Sequence, residues 1–323
     1  MKSPTAIAAV LAAACGNDPG PPDVPPTLGE TGLYADVATR TVAPEMRPFT
    51  PQYPLWSDGA AKQRWIYLPE PIDASRADWQ FPVHTRVWKE LSVGGRRVET
   101  RYMVRTPAGW RYATYVWNAD GTEAALAPRE GLASAEVAPA HRIPSEGECR
   151  ACHANGATPV LGFAALQLSI DRDPDAPHAE RPAPGSLDLA SLLATGELAG
   201  YTGSIAPRIA GSPVERAALG YLHANCGGCH RADGPVAAVG LDLTDPAAAR
   251  RTAIGRPSDF GAPKLRVAPG APADSVLLAR MRALDPLSRM PPLGTRVVDD
   301  AATHLIASWI DQLADNQHLE TRR

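Results

Sequence analysis

The chain has 323 residues, 33 of them proline, with 44% hydrophobic and 21% charged residues and a formal net charge of -3. Such a length calls for two or three structural units, and the composition excludes a disordered or coiled-coil chain. The near balance of charge excludes the basic field that nucleic-acid binding requires, so no nucleic-acid partner is expected.

Met1 and Lys2 form a short charged start, followed by an apolar, small-residue run from Ala6 to Ala14. Residues 1–14 read as an export signal peptide, too short to span a bilayer as a helix. Ala13 and Ala14 before Cys15, with "GNDPGPPDVPPT" after it, resemble a bacterial lipoprotein processing site. On that reading Cys15 is the acylated N-terminus, 15–29 is a flexible tether, and the lipid is the only membrane contact. Ordinary cleavage nearby is the alternative, since Leu11 sits one place off the usual pattern. Either route predicts a mature chain in the periplasm or cell envelope, and the lipoprotein route predicts an outer-membrane anchor.

Residues 30–140 hold six of the seven tryptophans. In "FPVHTRVWKELSV", Val83, Val87, Leu91 and Val93 alternate along one face, and Gly94-Gly95 marks a hairpin turn into "RRVETRYMVRT". A second turn, "PAGW", leads to "RYATYVWN". The pattern predicts a mainly β module, a small sandwich or barrel. Trp88, Trp110 and Trp117 on these strands read as packing residues before electron gates.

Residues 141–205 have shorter apolar runs, and the polar, proline-rich stretch 171–185 reads as a boundary. Beyond it the pattern turns helical. Ser212-Pro213-Val214-Glu215 is a strong helix start, and Val214, Ala217, Ala218, Tyr221 and Leu222 follow on one face. Ala302, Leu305, Ile306, Trp309, Ile310 and Leu313 repeat that spacing behind Asp299 or Asp300 as cap. An all-α C-terminal domain over 206–316 is predicted, with 317–323 a tail.

Apart from Cys15, the cysteines fall in two copies of one pattern, Cys149-x-x-Cys152-His153 and Cys226-x-x-Cys229-His230. Two thiols separated by two residues reach the two vinyl positions of a porphyrin, and the following histidine can ligate its iron. Two covalently attached c-type haems are therefore expected. Zinc is the first rival, because Cys and His are good ligands for it. Disulfides suit an exported chain but leave His153 and His230 without a role.

Met290, in "SRMPPLGT", stands where a thioether could take the sixth position on the second iron, with Met281 as competitor. Pro235 could offer a carbonyl to His230, or be a plain turn proline. For the first iron the candidates are His141, Met103 and His84, or an open position. His178, His223 and His304 are expected to be solvated. Arg231, Arg266 and Arg289 are possible partners for haem propionates, although exposed arginines are common.

The capped helix, "NCGGCH", "RMPP" and terminal helix, in that order over 212–315, resemble a class I cytochrome c domain. More widely, "YPLWSDGAAKQRW", "FPVHTRVWKE", "VETR", "YVWN", "CRACH" and "AALGYLHANCGGCH" resemble a family of poorly characterised bacterial di-haem c-type cytochromes. The resemblance implies a multi-domain chain, a β module plus a cytochrome c-like domain, that passes electrons between a redox donor and acceptor, a dehydrogenase among the candidates. The rival function is a di-haem peroxidase with one open iron.

Overall fold

A computed structural model describes residues 24–133, 141–154, 158–261 and 264–320, the last six of these by main chain alone. The expected signal peptide and Cys15 lie outside the described residues. Among the described residues no helix is long and apolar enough to cross a membrane.

The strands are β1 (Tyr34–Asp36), β2 (Thr41–Val42), β3 (Arg47–Pro48), β4 (Ala61–Tyr67), β5 (Ile72–Asp73), β6 (Arg86–Val93), β7 (Arg96–Thr106), β8 (Gly109–Trp117) and β9 (Ala124–Leu126). One antiparallel sheet of six strands runs in the order β3-β4-β6-β7-β8-β9. Gly94 and Gly95 both take positive φ, 57° and 78°, as the tight β6–β7 turn demands.

The pleat gives the sheet two faces. On one, Trp65, Trp88, Tyr102 and Ala113 stand in a row across four strands. The chain around Leu28, Leu33, Tyr34 and Met46 covers them. The start of the expected tether is part of this cover from Val24 on: the Leu28 N–H donates to the Ala124 carbonyl, and Tyr115 Oη donates to the Pro25 carbonyl. On the other face the row is Ile66, Val87, Met103 and Tyr112. Phe163, Leu168, Leu187 and Leu192 close over it in one core, so residues 141–205 complete the β part.

Those residues carry α1 (Glu146–His153), α2 (Leu189–Ala194) and β10 (Leu198–Ala199), which pairs parallel with β5. Four helices follow, α3 (Pro213–Asn225), α4 (Pro246–Ala253), α5 (Val276–Arg282) and α6 (Asp300–Glu320), with the short pair β11 (Pro257–Ser258) and β12 (Lys264–Leu265) between α4 and α5.

The expected division into a sandwich or barrel and an all-α cytochrome c-like domain is not what the chain forms. The protein is mainly β, built on one open sheet, and no large all-α C-terminal domain is present among the described residues. The periodicity marked α3 and α6 correctly, but α4 and α5 span only 8 and 7 residues. Pro257, Pro269, Pro272, Pro286, Pro291 and Pro292 interrupt the chain between and after them. The helical core also needs the N-terminal half, because Tyr53 packs with Leu219, Leu222, Ile306 and Trp309.

The segment 52–58 fastens the two parts together. Gln52 and Tyr53 bond to Gln167 and Asp173, the latter through Tyr53 Oη at 2.9 Å. Trp56 N–H donates to Asn225 Oδ1 at 2.7 Å, and its indole donates to the Val297 carbonyl. Asp58 accepts from the N–H groups of Arg296 and Val297. The stretch 171–185 is docked as well: Asp173 is paired with buried Arg216 at 3.0 Å and Glu180 with buried Arg64 at 2.6 Å.

A Cβ on Gly220 of α3 would enter the Tyr53 ring. Gly220→Ala should therefore destabilise the chain by about 1–3 kcal/mol in urea denaturation despite its gain in helix propensity. An unchanged or higher stability would contradict this packing.

Candidate functional site

The first cluster lies wholly on α1. Ser145 Oγ accepts from the Glu148 N–H at 3.2 Å while Glu148 accepts from the Ser145 N–H at 2.9 Å, a reciprocal cap that starts the helix. Cys149, Cys152 and His153 then fall three and four residues apart on one helical face. Cys149 packs against the core over the sheet, and the His153 ring lies 5.6 Å from that of Tyr112 on β8.

His153 Nδ1 is 2.7 Å from the Pro159 carbonyl, so it carries the proton and leaves the Nε2 lone pair bare. Burial pushes its pKa down to about 4; the Pro159 carbonyl opposes this, and Lys89 and Arg101 add to it. At neutral pH this imidazole is uncharged and able to ligate a metal. Pro159 is a partner that the sequence did not single out, although it follows His153 by six residues, much as Pro235 follows His230 by five.

The second cluster forms a turn at the end of α3. Ser212 Oγ caps its start by accepting from the Glu215 N–H, and Cys226 ends it with its N–H on the Leu222 carbonyl at 2.9 Å. The N–H groups of Cys229 and His230 both donate to the Cys226 carbonyl. Gly227 sits where a Cβ would come within 2.6 Å of the His223 carbonyl and 2.8 Å of the Leu243 carbonyl, so a side chain would force this turn open. Burial, with Cys229 adding, pushes the Cys226 thiol up to about 12. His230 is held neutral by burial and then by Arg280 and Arg266. Its Nδ1 is buried without a partner, so the Pro235 carbonyl does not orient it.

Met290 and Met281 line one depression together with Trp56 and Tyr221. The Met290 N–H donates to the Arg280 carbonyl, which ties its loop to α5 beside a cation that acts on His230. Met281 also packs against the core that Cys226 borders, and Met290 stays beside it in this depression.

Across from the first cluster the candidates separate. His84 is exposed, and Met103 is buried in the core over the sheet. His141 is buried with Nε2 at 3.0 Å from Glu99 Oε1, and Arg101 donates to the same oxygen at 2.7 Å. Ligation through Nε2 would break that contact. Burial alone would raise the Glu99 pKa, but Arg101 and His141 outweigh it and hold the carboxyl at about 2.

The remaining candidates have ordinary partners. His178 pairs with Asp299 at 2.8 Å under Trp56, His223 Nδ1 meets the Thr244 carbonyl at 2.6 Å, and His304 is exposed. Arg231 pairs with Asp233, and Arg266 donates to the carbonyls of Val239, Gly240 and Thr252. Arg289 donates to the Pro292 carbonyl and keeps a buried, unpartnered Nε. Trp88 and Trp117 are buried with their indole N–H groups on Thr31 and Thr100, and Trp110 packs on Phe81.

The two clusters lie within electrostatic reach of each other. Burial raises the Cys152 thiol, and Cys229 is close enough to raise it further. Arg101, His141 and Arg142 on one side and Arg289, Thr295 and Arg296 on the other line a single depression between the two parts. Cys149, Cys152, Cys226 and Cys229 are all free thiols, not disulfides. Among the described residues no three His, Cys, Asp or Glu side chains converge as metal ligands, so neither cluster closes on a zinc ion by itself. Thiol pairs beside a neutral imidazole whose Nδ1–H is held by a carbonyl fit haem attachment at the first cluster, whereas at the second cluster His230 Nδ1 has no such partner. No protein-family model, curated protein or solved structure matches this chain.

The Glu99 contact yields a test. Its folded pKa lies below the ordinary 4.5, so its stabilisation is full above about pH 4.5 and is lost as pH falls toward about 2. Glu99→Gln should cost about 3–5 kcal/mol at pH 7 and flatten this acid limb in denaturant titrations. An unchanged acid limb would show that Glu99 is not the group titrating there.

Proposed function

We propose that this chain is an exported di-haem c-type cytochrome that passes electrons between redox partners in the bacterial cell envelope. The observation that carries the reading is the pair of Cys-x-x-Cys-His clusters, with His153 held by Pro159 so that Nε2 is free. Haem bound there supplies reversible one-electron chemistry at its iron.

The chain does the rest. Cys149 and Cys152 on α1, and Cys226 and Cys229 at the end of α3, anchor the two groups, and His153 and His230 ligate. Met290 closes the second iron. The sheet and the 52–58 segment hold the two sites in register. A redox protein donor and acceptor are the partners, with a dehydrogenase one such donor. Export rests on the 1–14 signal, and an outer-membrane anchor on Cys15.

A second reading, a peroxidase-like enzyme with one open iron, is favoured by one observation. His141 Nε2 is committed to Glu99, which leaves the sixth position at the first site without an assigned ligand.

The purified chain should carry two covalent haems by pyridine haemochrome assay, one of them lost in Cys149→Ser/Cys152→Ser and the other in Cys226→Ser/Cys229→Ser. A haem-free chain would overturn the proposal. Carbon monoxide separates the two readings: no binding by either reduced iron supports the carrier, and rapid binding at one supports the enzyme. Met290→Ala should open the second iron to carbon monoxide while Met281→Ala leaves it closed; the reverse result would reassign the ligand.

A further inference from the structure

The sheet face beneath the first cluster carries charge where strand alternation calls for apolar residues. Two residues along from the row of Ile66, Val87, Met103 and Tyr112, the same face presents Arg64 on β4, Lys89 on β6 and Arg101 on β7, side by side in register. Lys62 lies one further step along β4. Arg64 is buried, and the other three are half-buried.

This row is short of anions. Arg64 has Glu180 at 2.6 Å and Arg101 has Glu99 at 2.7 Å. Glu99 is shared with His141. Lys62 and Lys89 have no carboxylate at ion-pair distance among the described residues. Burying cations without counter-charge is costly, and the molecule shows the cost. Burial, then Arg101, Arg64 and Lys62, push Lys89 down to about 7, with Glu99 opposing. Burial, then Arg64, push Lys62 down to about 8, with Glu180 opposing.

The row also points at the attachment site. Cys149 packs on the core that holds Val87 and Met103, Lys89 and Arg101 come next on that same face, and both lie within electrostatic reach of Cys149, Cys152 and His153. Arg101 further lines the depression shared with Arg142, Arg289 and Arg296. A group tethered at Cys149 and Cys152 therefore meets a row of basic side chains, two of which have no carboxylate at ion-pair distance among the described residues.

We infer that Lys89, with Lys62 and Arg101 beside it, forms a carboxylate seat on the sheet that receives the propionates of the haem attached at Cys149 and Cys152. The inference rests on the di-haem reading above. It ties the β part to the redox site: the sheet supplies the counter-charge of the first haem and thereby sets its potential, because a cation beside the group favours the reduced iron. It also explains a basic strip inside a chain of net negative charge.

The test uses the full chain, loaded with haem, and potentiometric titration followed by visible spectra. The step belonging to the first haem is identified with Cys226→Ser/Cys229→Ser. Lys89→Gln and Lys62→Gln should each lower the midpoint potential of that step and leave the other unmoved, while Lys89→Arg should keep the native value. Unchanged potentials in both glutamine variants, or equal shifts of both haems, would overturn the seat. So would carbon monoxide binding gained at the first iron in Lys89→Gln, since that would make Lys89 an axial ligand. Added acetate should leave the native potential unchanged; a shift with acetate would mean that the seat is open to free carboxylates and not filled by propionates. Absence of covalent haem in the native chain would instead remove the di-haem reading itself, a failure distinct from these.

Discussion

A strap of seven residues, Gln52 to Asp58, holds the helical C-terminal part against the sheet, and the relative placement of the two cysteine clusters depends on it. Its hold is made of hydrogen bonds, buried at the Gln52 end and exposed at the Asp58 end, and of the Tyr53 ring, seated against a glycine of α3 where no larger residue fits. Such contacts contribute individually only about 1 kcal/mol each, but they are directional, so they define one docking geometry. With Tyr53, from the chain that leads into the sheet, seated in the helical core, the two parts cannot slide past each other freely. The clusters on α1 and at the end of α3 inherit that fixed relation.

The sheet then has two jobs that the pleat separates. One face buries aromatic residues under the N-terminal chain and is ordinary core. The other begins as core, with Val87 and Met103, and becomes polar two residues along, with Lys89, Arg101 and Glu99. That change of character occurs beneath α1. Buried Glu99 organises it by holding His141 and Arg101 on one carboxylate oxygen. Charge inside a sheet core is expensive, and its position next to the first cluster is the ground for the carboxylate seat proposed there.

Much of this was legible in the residues. The hairpins at Gly94-Gly95 and before Trp110, the cap at Ser212 and the twin cysteine clusters follow from local chemistry, and the structure places the strands and α3 where those signals stand, while the helix capped by Ser145 is an addition. The all-α domain was not correct, because two strongly periodic helices were extended over proline-broken chain and because Tyr53, distant in sequence, belongs to their core. Pairings across such separations leave no local trace. The cation row did leave one: Val87-x-Lys89-x-Leu91 and Glu99-x-Arg101-x-Met103 put charges at inward positions, a break in alternation that marks a site. His141 illustrates the opposite limit, since eight residues of proximity to Cys149 suggested a ligand while Glu99, 42 residues away, holds its Nε2.

The central claim is that two haems sit next to each other, at clusters within electrostatic reach across one docked interface. Electron paramagnetic resonance of the fully oxidised chain, set beside each single-cluster variant, tests it directly. The account predicts signals broadened by coupling between the two irons, which sharpen when either cluster is removed. A spectrum equal to the sum of the two single-haem spectra would contradict it.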